Sequence, residues 1–334
     1  MKKTLSAVLA LALMLTALLT GSLSAFAEEA PAPMAVLVPC SIGDPFIGLC
    51  LKGLYQLSEE TGKELRIIET YDKAEYEDQV CSMAELGYNP VYCMWGDLSE
   101  VAINHAAEYP ETTFILTDVY LKTDAPNISA LSVDPYGASF IGGYIAACET
   151  EVGLVGFIAH ADRAVSRRYR DGYMAGIAYA NEKNGTSVEV QVAYTGDDQD
   201  PVKGSETAIL MIEEYGVDII FQSASLSGLG VISACAEKGV RCIGADDWQG
   251  SVDSCVFWSV LKPFDQVLYQ EGMAVVDGSF VPGSKNLGAA QGLALYDERD
   301  FEAIEGGLQA EITEIVEAIK AGEIVLAADE NVVA

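Results

Sequence analysis

The feature that most constrains the fold of this chain is the stretch from residue 219 to residue 262. It opens with the apolar run IIFQS, continues through a glycine-bearing turn and an amphipathic segment, and returns to an apolar run that ends in Asp246. A further apolar run, VFWSVL, ends immediately before Lys262. Apolar strands that alternate with helices are typical of a parallel sheet covered by helices on both faces. The stretch therefore predicts a doubly wound α/β domain.

Polar side chains stand at the ends of these predicted strands, namely Gln222, Asp246, Ser259 and Lys262. In open α/β sheets the ligand crevice lies outside the carboxyl ends of the strands. We therefore expect hydrogen-bond donors, acceptors and one cation to meet at a common cleft. The set contains no nucleophile with a neighbouring base, so the sequence predicts a protein that binds a polar molecule without transforming it, not an enzyme.

The amino-terminal segment has the pattern of a Sec signal peptide. Lys2 and Lys3 precede an apolar run over residues 7–19, and the small-residue segment SAFA ends at Ala27. The apolar run is too short to favour a membrane span. We expect cleavage after Ala27 and an extracytoplasmic protein, periplasmic or secreted, with no direct membrane insertion. The first cysteine, Cys40, lies in the first strand-to-helix loop and not at the cleavage point, so no lipid anchor is expected.

The charge of the chain narrows the class of partner. With 50 acidic and 19 basic side chains the formal net charge is -31. Such an excess repels nucleic acid and anionic membrane surfaces, so we expect no nucleic-acid partner. The acidity also has a plainer explanation, since it keeps an exported protein soluble. The 50% hydrophobic content argues against disorder.

The sequence carries no signature of a metal or a cofactor. Its eight cysteines show no CxxC spacing, and we expect them to be mostly buried free thiols. The two histidines, His105 and His160, each stand alone, which argues against a metal site. Asp197, Asp198 and Asp200 lack the spacing of a calcium loop. We therefore expect neither metal nor cofactor.

Strand and helix signals fall into two blocks, which predict two lobes with a ligand cleft between them. Strand-like runs occupy residues 34–39, 65–69, 90–95, 114–117 and 128–133, and then residues 154–158, 188–194, 218–221 and 241–244. The domain organisation that we expect is a signal peptide at 1–27, a linker at 28–33, a first α/β lobe at 34–152, a second at 153–255, and a segment at 256–334 that crosses back to the first lobe.

Several short motifs occur in a characteristic order between about residues 34 and 292. They are Asp44-Pro-Phe46, Phe114-Ile-Leu-Thr-Asp118, Ser139-Phe-Ile-Gly-Gly143, Asp171-Gly-Tyr-Met-Ala-Gly176, Asp200-Pro-Val-Lys-Gly204, Ser227-Gly-Leu-Gly230, Ile243-Gly-Ala-Asp246 and Ser259-Val-Leu-Lys262. Each motif is weak alone, but their order and spacing are specific. The chain resembles the basic membrane protein family of ABC-transporter solute-binding proteins, whose best understood members bind purine nucleosides.

The resemblance implies a type I periplasmic binding protein fold with two Rossmann-like lobes. It further implies an extracytoplasmic protein that captures a small solute of the nucleoside or purine type and delivers it to the permease subunits of an ABC importer. By the same resemblance Phe46 would offer an aromatic face to the base. Asp118 would accept hydrogen bonds from base or sugar, and Asp246 with Lys262 would hold the ribose hydroxyls.

Further site residues follow from the same motifs. Gly228 and Gly230 would let the backbone approach the ligand closely, and Asp44 belongs to the first loop, which carries fewer polar residues than the family's usual version. Where the family commonly places a second aromatic ring, this chain has Asp198. A polar or cationic part of the ligand could face Asp197 and Asp198, or Trp95 or Tyr194 could provide the missing stacking surface.

Each of these residues also has a plainer explanation. Phe46 could belong to the core of its helix, and the acids Asp118 and Asp246 could cap the helices that follow them. Lys262 could be a surface cation, and the glycine pair at 228 and 230 is a lone GxG without the full dinucleotide-binding pattern.

The role of a basic cluster is not decided by the sequence, and two alternative functions remain. Arg163, Arg167, Arg168 and Arg170 are either solvated and paired with nearby acids or contact the membrane subunits of a transporter. The rival functions are a ligand-sensing module for a receptor and, on the strength of the adjacent acids Asp246 and Asp247, a nucleoside-acting hydrolase.

Overall fold

The computed structural model describes residues 31–328. The predicted signal peptide at residues 1–27 and its cleavage site lie outside the described residues. Among residues 31–328, no helix combines the length and the apolar character needed to cross a bilayer.

The first sheet has six parallel strands. They are β1 (Met34–Val38), β2 (Leu65–Glu69), β3 (Val91–Met94), β4 (Phe114–Thr117), β5 (Ile128–Val133) and β11 (Gly283–Leu287), in the order β11-β5-β4-β3-β1-β2. The residues of β1, β3, β4 and β5 are buried throughout. Continuous apolar runs of this kind are what a parallel sheet covered on both faces requires.

The second sheet has five parallel strands. They are β6 (Leu154–Ala159), β7 (Glu189–Tyr194), β8 (Ile219–Ser223), β9 (Arg241–Asp246) and β10 (Val256–Leu261), in the order β10-β9-β8-β6-β7. Together the two sheets confirm the predicted α/β class with two lobes.

Helices link the strands. They are α1 (Pro45–Thr61), α2 (Tyr76–Glu85), α3 (Trp95–His105), α4 (Tyr136–Glu149), α5 (Ala164–Asn184), α6 (Pro201–Tyr215), α7 (Ser227–Lys238), α8 (Phe264–Asp277), α9 (Glu298–Ala303) and α10 (Gly306–Lys320). Short 3-10 helices span Lys73–Glu75, Ala106–Glu108 and Ala289–Gln291.

Local sequence fixes where several helices begin. The Asp44 carboxylate accepts hydrogen bonds from the backbone N–H groups of Phe46 and Ile47 at the start of α1, and Asp200 caps α6 in the same way. A proline follows each acid at the first helical position, where its missing N–H costs nothing.

The chain passes between the sheets at places that differ from the expected boundaries. β10 pairs with β9, so the second sheet extends to Leu261 and does not end at residue 255. Helix α4, expected in the first lobe, packs in the core of the second sheet together with Trp258, and α10 joins the same core through Ile312. In the segment after residue 261, α8 packs against α1 and β11 joins the first sheet. We therefore propose lobe boundaries with crossings after Val133, Leu261 and Leu287.

The eight cysteines are free thiols. Five are buried, namely Cys40, Cys50, Cys93, Cys235 and Cys242, whereas Cys148 is exposed. No group of three or more histidine, cysteine, aspartate or glutamate side chains within residues 31–328 is placed to hold a metal ion.

Candidate functional site

A cavity of about 610 Å³ is lined by residues that follow strands of both sheets. From the first sheet come Cys40 after β1, Trp95 after β3 and Asp118 after β4. His160 after β6 and Lys262 after β10 lie opposite, on the second sheet. Strand ends of two parallel sheets that share one cavity match the predicted position of the ligand cleft.

The backbone is unusual at four positions around this cavity. Trp95, Asp118, Ser225 and Asp246 have φ values of 61°, 59°, 53° and 72°, and they are all the non-glycine residues with positive φ in the described part of the chain. All four line the cavity. Such conformations are uncommon for residues with a Cβ and concentrate at functional sites, where surrounding structure holds them. Here they turn the chain sharply as each strand ends, which directs the side chains into the cleft.

A cluster of polar groups joins the two sheets at the floor of the cavity. The Lys262 ammonium lies 2.7 Å from a carboxylate oxygen of Asp118, and the Lys262 side chain is almost entirely buried. Tyr169 on α5 donates its hydroxyl to Asp246 at 2.5 Å. The backbone N–H of Lys262 donates to the carbonyl of Asp246 at 2.8 Å. One cation and two carboxylates are therefore held at fixed positions beside one another.

The pKa of the Asp246 carboxyl is shifted upward by its surroundings. Burial raises its pKa from 3.8 to about 6, and the nearby Asp118 and Asp44 raise it as well, while Lys262 and the hydrogen bond from Tyr169 act in the opposite direction. Burial also raises the pKa of the Tyr169 hydroxyl well above its usual value. Asp246 is therefore ionised at neutral pH, although with less margin than an exposed aspartate.

Aromatic rings form the first-lobe side of the cavity. Phe46 and Trp95 lie nearly parallel, with ring centroids 6.3 Å apart and planes inclined by 15°. The Lys262 ammonium is 4.9 Å from the centroid of Phe46. Phe46 is buried whereas Trp95 is half-buried, so Trp95 has the more accessible ring.

The second-lobe side of the cavity is polar. His160, Arg163, Ser166, Asp198 and Gln199 all line it. Burial, together with the neighbouring Arg163, lowers the pKa of the His160 imidazole, while Asp198 raises it. The imidazole is therefore neutral at pH 7 and can both donate and accept a hydrogen bond.

Of the nine predicted site residues, six line the cavity, namely Phe46, Trp95, Asp118, Asp198, Asp246 and Lys262. The structure gives Asp44 a different position, because this buried side chain caps α1 and accepts a hydrogen bond from Gln199 Nε2 at 3.1 Å. It thus connects the two lobes beside the cavity and is not among the residues that line it.

Gly228 and Gly230 lie on α7 and are not among the residues that line the cavity. A Cβ at Gly228 would lie 1.9 Å from Gln222 Oε1, and one at Gly230 would lie 1.7 Å from the carbonyl oxygen of Pro201. Both glycines are therefore needed where α7 packs against its neighbours. The GxG pattern reports helix packing here.

Three other residues considered from the sequence also have partners of their own. Gln222 donates to Gln249 at 2.6 Å, and the Ser259 hydroxyl accepts from the Gln249 backbone N–H at 3.1 Å. Tyr194, considered as a stacking surface, accepts a hydrogen bond from Arg170 and is not part of the cavity wall.

Sequence reasoning missed Tyr169, His160 and Ser166 as cleft residues. His160 directly follows a buried strand, so the reasoning applied to Asp246 could have identified it. Ser166 and Tyr169 are three residues apart on α5 and share a face of that helix. No local motif marks that face as the one turned to the cavity.

Comparison with known proteins assigns the family. Residues 33–293 match the family model described as Bmp, ABC transporter substrate-binding protein PnrA-like. The chain belongs to the Bmp family. The family model describes substrate-binding proteins of ABC transporters, which confirms the family predicted from the motifs.

Curated relatives agree with this Bmp assignment. Basic membrane protein A2 of Borrelia garinii subsp. bavariensis is 29% identical over 203 residues, and basic membrane protein D of Borreliella burgdorferi is 31% identical over 202 residues. The matches span 60% and 58% of this chain but only about 58% of the length of each relative.

Two solved structures show the same fold. A solute-binding protein of an ABC transporter system from Aeropyrum pernix K1 superposes with a TM-score of 0.79 at 24% identity, covering 90% of this chain and 95% of that one. A solute-binding protein from Conexibacter woesei gives a TM-score of 0.69 at 18% identity, covering 89% and 98%. These likenesses confirm the type I periplasmic binding protein fold predicted from the sequence.

Proposed function

We propose that this Bmp protein is an extracytoplasmic receptor that binds a nucleoside or related purine compound and delivers it to the permease subunits of an ABC importer. The observation that carries the proposal is the cluster of Lys262, Asp118 and Asp246 beside the parallel rings of Phe46 and Trp95. The absence of a lipid anchor stays a prediction from the amino-terminal sequence.

The polar cluster has the chemistry to hold a ribose. An ammonium has three N–H donors, and the one directed to Asp118 leaves others for the oxygens of a ligand. The Asp246 carboxylate has acceptor capacity beyond the hydrogen bond from Tyr169. Two adjacent hydroxyls of a sugar donate to the one group and accept from the other, through charge-assisted hydrogen bonds in a desolvated cleft.

The aromatic side of the cavity supplies a surface for a base. Stacking on an aromatic ring contributes about 1–3 kcal/mol per base and tolerates different bases. Trp95, with its half-buried ring, is the accessible stacking partner. Phe46 lies nearly parallel to Trp95 and also contacts the Lys262 ammonium. A molecule with a flat aromatic part and a hydroxyl-rich part therefore complements the two regions of the cavity.

The experiment that tests this function is a thermal-shift screen of the exported protein against nucleosides, free bases, pentoses and flavins, followed by calorimetry. A ligand that binds only the folded state raises the melting temperature. We expect nucleosides to raise it more than their separate bases or pentoses do. Asp246→Asn should then lower nucleoside affinity at least tenfold, about 1.4 kcal/mol.

One further variant tests the same binding site, and another serves as a control. Lys262→Met should also weaken nucleoside binding, but it leaves Asp118 buried without its cation, so the isosteric Asp246→Asn is the decisive variant. Lys238→Met is the matched control, because Lys238 pairs with Glu213 at 2.7 Å and is not part of the cavity wall. A stabilising compound without a sugar, bound equally by wild type and Asp246→Asn, would contradict the proposal.

A further inference from the structure

The start of α5 forms part of the cavity wall and is chemically unlike the other parts of that wall. Arg163, Ala164, Val165 and Ser166 all line the cavity. Helix α5 is 21 residues long, its N-cap residue Arg163 makes no side-chain cap hydrogen bond, and its first turn contains no acidic residue. The nearest acid in sequence, Asp162, precedes the N-cap and pairs with Arg167 and Arg170, so no acid within the first turn offsets the positive end of this helix.

The first backbone N–H groups of α5 are also free. Those of Ala164, Val165 and Ser166 have no hydrogen-bond partner among residues 31–328. The first N–H groups of a helix cannot bond within the helix and need an external acceptor. These three backbone N–H donors at the cavity wall therefore have no acceptor in the described part of the chain.

A buried side chain gives independent support. Ser166 is 2% exposed, and its hydroxyl has no hydrogen-bond partner in the described part of the chain. His160, on the same wall, has a buried Nδ1 that likewise lacks a partner there. Leaving a buried polar group unsatisfied costs about 1–3 kcal/mol, so such a group in a residue that lines a cavity indicates a ligand.

Charge pairing singles out one arginine of the basic cluster. Arg167 and Arg170 both approach Asp162, and Arg168 forms a close ion pair with Asp134. Arg163 forms no ion pair with any residue between 31 and 328, although acids outnumber bases by more than two to one. A guanidinium left unpaired beside free helix amides provides donors and positive charge at the same point.

We propose that the start of α5 is an oxyanion subsite of the interlobe cavity, in which Arg163, Ser166 and the free amides of the first turn hold a phosphate group carried by the ligand. The inference rests on the proposed function in taking this cavity as the ligand site. It extends that function from nucleosides to phosphorylated nucleosides.

One neighbouring acid opposes the anion. Asp198 lines the same cavity and acts electrostatically on His160. Its negative charge repels a phosphate, so Asp198→Asn should increase the preference for a phosphorylated ligand over the unphosphorylated one. The direction of this change distinguishes a phosphate subsite from a site in which Asp198 accepts a hydrogen bond from a donor group of the ligand.

The test is calorimetry on the exported protein at low salt with four probes: adenosine, its 5′-monophosphate, ribose 5-phosphate and inorganic phosphate. We expect the monophosphate to bind at least about tenfold tighter than adenosine. Arg163→Gln should weaken monophosphate binding at least about tenfold more than adenosine binding, and Ser166→Ala should act in the same direction more weakly. Arg167→Gln, on the same helix but paired with Asp162 and absent from the cavity wall, is the control and should change neither.

The outcomes separate this inference from the proposed function. Adenosine binding without any gain from the phosphate overturns the subsite and leaves the nucleoside function standing. Binding of ribose 5-phosphate that depends on Arg163, with no effect of the base, overturns the nucleoside function and keeps the subsite. No binding by any of the four probes contradicts both.

Discussion

At the scale of single residues, Asp246 combines a strained backbone with a perturbed ionisation. Its φ of 72° directs the side chain toward the cavity, where burial raises the pKa of the carboxyl to about 6. The Lys262 ammonium and the Tyr169 hydroxyl favour the ionised form but do not fully offset the loss of solvent. The same carboxyl is the group that we propose accepts the ligand hydroxyls, so protonation and ligand binding are coupled.

Ligand affinity should therefore fall in mild acid. With a pKa of about 6, roughly a tenth of Asp246 is ionised at pH 5, so nucleoside affinity should be about tenfold lower there than at pH 7.5. Calorimetry at pH 5, 6 and 7.5 measures this. His160 also titrates in acid, and His160→Gln isolates its share. Affinity that stays constant from pH 7.5 to pH 5 would show that the ionised Asp246 is not required.

The stability of the free protein should change in the opposite sense. A carboxyl whose pKa in the folded state exceeds its unfolded value contributes stability below the unfolded pKa, near 3.8, and loses it as pH rises through about 6. The melting temperature of Asp246→Asn, relative to that of wild type, should therefore increase as the pH is raised from 4 to 7. Parallel melting curves for the two proteins across that range would argue against the raised pKa.

At the scale of elements, the contact between α4 and α5 sets the position of the polar cavity wall. A Cβ at Gly176 would lie 1.9 Å from the carbonyl oxygen of Phe140, and one at Gly143 would lie 2.0 Å from that of Tyr173. The two helices thus touch backbone to backbone. Because α5 carries both Arg163 and Tyr169, any increase in the helix separation displaces the wall that faces the ligand.

Gly176→Ala should consequently destabilise the protein. Overpacking of a tight contact costs typically about 1–3 kcal/mol, and here the obstructing atoms are backbone, so the upper part of that range is expected. Chemical denaturation measures the loss. The matched control is Gly48→Ala in α1, where a Cβ meets nothing within 4 Å and the substitution should stabilise by about 0.5–1 kcal/mol. Equal effects of the two substitutions would refute the packing argument.

At the scale of the whole molecule, the two lobes are held together around the cavity by a few polar contacts. Lys262 and Asp118 form a buried ion pair between the ends of β10 and β4. Gln199 donates to the Asp44 carboxylate across the cleft at 3.1 Å. We expect such contacts to bias the balance between open and closed forms, as in other two-lobed binding proteins.

Removing one of these contacts should favour the open form. Gln199→Ala deletes a hydrogen bond to a charged group, a change worth at most about 1.5–3 kcal/mol, and should increase the radius of gyration of the ligand-free protein in X-ray scattering. Saturating nucleoside should restore the compact value. Gln56→Ala, which removes a hydrogen bond on the exposed face of α1, should leave the scattering unchanged. An unchanged ligand-free radius in Gln199→Ala would mean that the bond does not influence closure.

The sequence by itself determined the α/β class, the two lobes and the family. Strand and helix periodicities are local properties, and residues at strand ends must share one edge of a parallel sheet, which is why Asp246 and Lys262 could be placed at a cleft in advance. Asp118, on the other sheet, was placed there only by the family resemblance. The same rule, applied to β6, would have added His160.

Only the tertiary structure decided which helices cover which sheet and which faces meet the ligand. The boundary expected at residue 152 differs from the packing of α4, which joins the core of the second sheet through its close glycine contact with α5. Gly228 and Gly230 were expected near the ligand, and the structure shows close packing of both glycines, against Gln222 and Pro201. The free amides at the start of α5 depend on what lies opposite them, and contacts between segments distant in sequence leave no local pattern to read.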